Sequence, residues 1–165
     1  MAALLDHVDP DGLLEFSVVF TDRSLNHMSA SFKQVMIDIS DMLKQVYCAD
    51  AVAIVPGGGT FGMEAVARQF GQDSKVLVVR NGWFSYRWSQ IFEAGGFTAE
   101  PHVSRARQSD HGPRAAFFPA PIDAVVAQIR AEKPEVVFAP HVETSAGVIL
   151  PDAYIIALAA AAHEV

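Results

Sequence analysis

The sequence predicts an α/β fold built on a mostly parallel sheet. Two observations carry this. Short runs rich in Val and Ile recur at 51–55 (AVAIV), 75–79 (KVLVV), 97–103 (FTAEPHV) and 135–139 (EVVFA), and stretches with helical apolar spacing separate them. Strands covered by helices on both faces read as continuous apolar runs, because neither face meets water.

The elements follow in order. SASFKQVMIDISDMLKQVY places Phe32, Val35, Met36, Ile39, Met42, Leu43 and Val46 at three- and four-residue steps, an amphipathic helix. Further helical segments are expected at 61–70, 86–94 and 122–132. A last one, 152–163, follows Pro151, whose fixed φ suits a helix start. The stretch SRARQSDHGPRAAFFPAP (104–121) is polar with Gly and Pro and reads as a plain surface connection.

Composition bounds the function. With 165 residues, 51% hydrophobic and 19% charged, the chain can bury one ordinary core. A net charge of −7 argues against a nucleic-acid binder, which needs a basic face. Cys48 is the only cysteine, so an intrachain disulfide and a thiolate cluster are excluded and a cytoplasmic location is expected. MAALLDHVDPDG lacks the basic start and apolar run of a signal peptide. AYIIALAAAA is roughly half a bilayer span, so no membrane partner is expected.

The chemistry concentrates in three turns. In AVAIVPGGGTFGMEA, Gly57, Gly59 and Gly62 spell the dinucleotide fingerprint at a strand–helix junction. Such a junction aims backbone N–H groups and a positive helix end at one point, which favours an anion. A tight turn alone explains the glycines about as well. A P-loop is excluded, because no Gly-Lys-Ser/Thr follows. An NAD site wants an acid after the next strand, where Arg80 and Asn81 stand instead, so only an NADP-binding Rossmann reading survives. Two further turns, RNGWFSYRW and PHVETSAGVILP, follow the next strands. Ligands of parallel sheets sit at the carboxyl ends of strands. A phosphate cradle, an aromatic face and hydroxyl donors on one rim suit a flat phosphorylated ring such as pyridoxal 5′-phosphate (PLP). His141 with Glu143 makes a poor metal pair and is read as structural; no metal site is expected. His102, His111 and His163 have no motif, and Arg87 and Glu64 are read as structural contacts.

LNHMSASFKQVM, PGGGTFGMEAVARQF, RNGWFSYRW and HVETSAGVILP, in this order, resemble class V aminotransferases of PLP fold type I, the alanine/serine–glyoxylate group. The resemblance implies a three-layer α/β/α sandwich, with residues 1–28 an N-terminal segment and 29–165 the N-terminal part of the PLP-binding large domain. It implies that Gly58, Gly59 and Thr60 bind the cofactor phosphate, although Gly58 stands where the family often has Ser. It further implies that Phe84 stacks on the pyridine ring, with Trp83 the runner-up, and that Thr144 lies near the ring's phenolic oxygen. Asn26 and His27 match an element near the active site.

By the same resemblance the enzyme moves an amino group from a small amino acid to a 2-oxo acid such as glyoxylate or pyruvate, and works as a homodimer. The family's Schiff-base lysine, ring-nitrogen aspartate and carboxylate-binding arginine match nothing in this chain, whose lysines are Lys33, Lys44, Lys75 and Lys133. No catalytic residue is therefore assigned, and the chain reads as a truncated large domain that is inactive alone. A desulfurase or lyase sharing the cradle stays open, as does a non-catalytic binding domain derived from a PLP enzyme.

Overall fold

The computed structural model describes residues 30–96, 98 and 100–165. Two compact units divide the chain, Met1–Ile54 and Val55–Val165. In the first, α1 (Ala30–Tyr47) forms at the expected amphipathic stretch, and none of its residues is buried. Phe32, Met36 and Leu43 of its stripe are half-buried, and Met42 and Val46 are exposed.

The second unit is mixed α/β. In chain order it contains α2 (Gly59–Phe70), β1 (Val76–Arg80), α3 (Trp83–Gly95), β2 (His102–Arg105), β3 (Arg107–Gln108) and β4 (Phe117–Phe118). There follow α4 (Ile122–Glu132), β5 (Val136–Phe138), β6 (Val142–Glu143), a 3-10 turn at Thr144–Ala146, β7 (Val148–Ile149) and α5 (Asp152–His163). The central sheet is parallel, in the order β2-β1-β5. Its register runs from Leu77↔His102 to Arg80↔Arg105 on one side of β1 and from Val76↔Val136 to Val78↔Phe138 on the other.

The middle strand explains the core. Val76, Leu77, Val78 and Val79 are all buried, which is why the run VLVV after Lys75 is apolar throughout instead of alternating. Successive side chains leave a strand on opposite faces. Leu77 and Val79 pack with Val125 and Ile129 of α4 and Leu158 and Ala161 of α5. Val76 and Val78 pack with Ala67 of α2, Ile91 and Phe92 of α3, and Phe138. Glycine closes α3 at Gly96 in the left-handed region, φ 59°, a backbone conformation that costs other residues.

Three segments depart from expectation. The strand expected at 97–103 is β2, His102–Arg105, with no strand at Thr98, Glu100 or Pro101. Residues 51–55 form no strand, and no described strand pairs with them; an apolar run becomes a strand only where a neighbour supplies the ladder. Residues 104–121 are more than a connection. Arg107↔Phe118 and Gln108↔Phe117 pair as an antiparallel hairpin. The Asp110 carboxylate turns it by accepting from the Gly112 N–H at 2.6 Å.

Candidate functional site

All three turns lie in the second unit, and two of them lock together. The chain leaves β1 through Asn81 and Gly82 and begins α3 at once, so the first amides of α3 need acceptors. They receive them from the turn after β5. Glu143 Oε1 accepts from the Phe84 N–H at 3.1 Å, and Oε2 from the Ser85 N–H at 2.8 Å. Ser85 Oγ donates to Glu143 Oε2 at 2.6 Å, and Ser145 Oγ donates to Oε1. Ser145 Oγ in turn accepts from the Trp83 N–H at 2.8 Å. Ser85 Oγ also accepts from the Asn81 and Gly82 N–H groups at 2.8 and 3.1 Å.

Glu143 is thus a buried carboxylate at a helix N-terminus, where the dipole favours negative charge. Burial pushes its carboxyl pKa up. Hydrogen bonds from the Ser145 and Ser85 hydroxyls and the Ser85 and Phe84 amides outweigh that and hold it below the ordinary carboxylate value. Gly82 is needed for the approach: a Cβ there would lie 2.6 Å from Ser145 Oγ and 2.7 Å from Glu143 Cγ.

The glycine turn before α2 is built the opposite way. Gly57 has φ 125°, and a Cβ on it would lie 2.6 Å from the Phe61 ring, so backbone and space both require glycine. A Cβ on Gly58 or Gly59 would meet nothing within 4 Å, and no side chain caps α2. The N-terminus of α2 is open where that of α3 is filled. Thr60 Oγ1 accepts from Arg87 Nη1 at 2.9 Å, and the Arg87 guanidinium lies over the Phe84 ring, 5.2 Å from its centroid. Arg87 therefore links the glycine turn to the aromatic turn.

Of the residues singled out from sequence, Thr60 and Phe84 both contact Arg87, and Gly58 and Gly59 directly precede Thr60 in the turn. Thr144 begins the 3-10 turn directly after Glu143 and is exposed. Phe84 and Trp83 are both too exposed to be core. Trp83 turns towards Tyr86, with ring centroids 5.8 Å apart. Asn26 and His27 lie outside the described residues. Lys75 donates to the Glu132 carbonyl, and both Lys75 and Lys133 precede strands, at the end of the sheet away from the three turns. Among the described residues no three His, Cys, Asp or Glu side chains gather as metal ligands, and no helix is long and apolar enough to cross a membrane.

Sequence reasoning missed Arg87, Ser85 and Ser145 as members of this rim. Arg87 stands three residues after Phe84, a spacing that makes helical neighbours, and that was the available signal.

No protein-family model matches the chain. It is 30% identical over 127 residues to the small subunit of a soluble hydrogenase from Synechococcus, covering 76% of this chain and 31% of that protein. Its fold matches the crystal structure of ureidoglycine–glyoxylate aminotransferase from Bacillus subtilis with a TM-score of 0.65 at 20% identity, over 84% of this chain and 34% of that one. The chain spans about a third of the length of each of these two proteins. The arrangement of helices around the parallel sheet resembles part of the fold of that protein.

Proposed function

We propose that the chain is the N-terminal part of the large domain of a PLP-dependent aminotransferase, with the sheet and its helices forming the three-layer sandwich of that fold. The observation that carries the reading is the open, uncapped N-terminus of α2, with Arg87 joining Thr60 to Phe84. The residues fit the cofactor. Backbone amides at Gly58 and Gly59 and the Thr60 hydroxyl take the phosphate, and the space beside both glycines leaves room for it. Arg87 adds a cation to the cradle. Phe84 supplies the face that fixes the ring plane, and Thr144 a hydroxyl at the rim.

When bound, PLP serves as the electron sink for chemistry at an amino-acid Cα. What this segment contributes is binding and orientation. Glu143 holds Phe84 and the turn containing Thr144 in one frame, so the ring face and the hydroxyl keep their spacing. Trp83, Asn26 and His27 are assigned as neighbours of the site. The whole enzyme transfers an amino group from a small amino acid to a 2-oxo acid, as a cytoplasmic homodimer.

Pyridoxine 5′-phosphate tests the cradle, because it has no aldehyde to react with stray lysines. Tryptophan fluorescence of the chain is titrated with this ligand, with phosphate-free pyridoxine and with NADP. Gly59→Ala adds a methyl that meets no protein atom. It is expected to weaken the phosphorylated ligand at least about tenfold, the loss of one charge-assisted hydrogen bond, without affecting pyridoxine. NADP binding without pyridoxine 5′-phosphate binding refutes the reading.

A further inference from the structure

A second constellation lies at the carboxyl ends of β1 and β2. Arg80 and Arg105 are register partners, the last residues of their strands. Like charges directly opposite each other are unfavourable, yet no described carboxylate forms an ion pair with either guanidinium. Glu93 and Glu100 line an adjoining depression with them but stay beyond ion-pair distance. Arg80 packs its guanidinium over the Tyr86 ring, 4.9 Å from the centroid. Burial, and then the facing charge of Arg105, hold the Arg80 pKa below its usual value, although Tyr86 acts the other way.

Both arginines line an open groove of about 820 Å³, walled by Trp83, Tyr86 and Phe117. That is a size ordinary for a small-molecule site, where apolar walls and a few polar groups combine. Asn81 also lines it. Asn81 is only 2% exposed, and neither atom of its side-chain amide has a hydrogen-bond partner among the described residues. Buried amides are almost always satisfied, so an orphan beside two unpaired guanidiniums marks a place where an acceptor is wanted. None of the groove's lining residues belongs to the glycine cradle.

We infer that this groove binds the carboxylate of a small aromatic acid, held by Arg80 and Arg105 with its ring against Trp83 and Tyr86. Guanidinium forks suit a planar carboxylate, which they engage with two parallel hydrogen bonds. The exposed Trp83 and Phe117 gain by covering an apolar ring. The groove shares Trp83 with the surroundings of the proposed cofactor site but none of the cradle residues, and benzoate binding is read with no PLP present.

The test is a titration of the full chain, labelled with 15N, followed by NMR. Benzoate is the probe; benzyl alcohol lacks the charge, and inorganic phosphate lacks the ring. With benzoate the Arg80 and Arg105 Nε–H and the Asn81 amide resonances shift together and saturate. Benzyl alcohol does not saturate, and phosphate binds at least about tenfold more weakly. Arg105→Gln, on an exposed edge position, weakens benzoate by about tenfold or more, as expected for one charge-assisted pair. Arg105→Lys keeps the charge but loses the fork and still weakens it severalfold. Equal binding of benzyl alcohol or phosphate, unsaturated shifts, or unchanged affinity in either Arg105 variant overturns the inference.

Discussion

Replacing Glu143 by alanine removes the acceptor around which two turns are assembled. Four donors lose their partner: the amides of Phe84 and Ser85 and the hydroxyls of Ser85 and Ser145. The hydroxyls can turn elsewhere, since Ser85 Oγ already lies 3.2 Å from the Gly82 carbonyl. The two amides cannot. At about 1–3 kcal/mol for each orphaned donor, and with some cavity cost, the loss is about 3–5 kcal/mol. For a chain of this size that lowers Tm by roughly 10 °C, read by circular dichroism.

Glu143→Gln separates charge from shape. It keeps one acceptor and costs about 1–2 kcal/mol. The carboxyl's folded pKa lies below its unfolded value, so the stability it confers is complete above about pH 4.3 and is lost as pH falls through the folded pKa. The glutamine variant loses that part of the acid slope in urea midpoints measured from pH 6 to pH 3. An alanine variant melting within about 2 °C of the unsubstituted chain, or glutamine and glutamate profiles of identical shape, would refute the account of the rim.

Three further outcomes follow from single contacts. Gly82→Ala drives a methyl into Ser145 and Glu143 and costs about 1–3 kcal/mol in urea unfolding, whereas Gly58→Ala, facing open space, costs less than about 1 kcal/mol. Phe92→Ala empties a buried site against Phe138 and costs about 3–5 kcal/mol in the same assay. Tyr154 donates to the Ala120 carbonyl at 2.9 Å, and burial raises its pKa. The unfolded phenol therefore ionises first, and stability falls as pH rises above about 10; Tyr154→Phe costs about 0.5–1.5 kcal/mol near neutrality and loses that alkaline slope.

The parts of the fold that were legible are those written in local pattern. The helices at Ile122–Glu132 and Asp152–His163 coincide with the expected segments, because apolar spacing and the prolines before them act within one or two turns. The helices at Gly59–Phe70 and Trp83–Gly95 begin two and three residues earlier than expected, inside the glycine turns themselves, where a small residue gives no periodic signal. The run at 51–55 has strand composition, but pairing is a property of neighbours and no local pattern reports it. The hairpin at 107–118 was hidden because its strands are two residues long; its Asp-His-Gly turn was the readable trace. The three turns were found as turns. Their wiring was not, because Glu143 meets Ser85 across 58 positions of sequence and Ser145 meets Trp83 across 62.

That separation also bears on how the chain acquires order. A contact between residues so distant closes a large loop, whose entropy must be offset before the bond helps. The start of α3 can therefore coil locally, but its amides stay open to water until the segment after β5 arrives. Mutations at Glu143 should then accelerate unfolding and leave the folding rate nearly unchanged, with φ near zero. The rim that holds Phe84 is among the last parts of this unit to set, and its loss is an early step in coming apart.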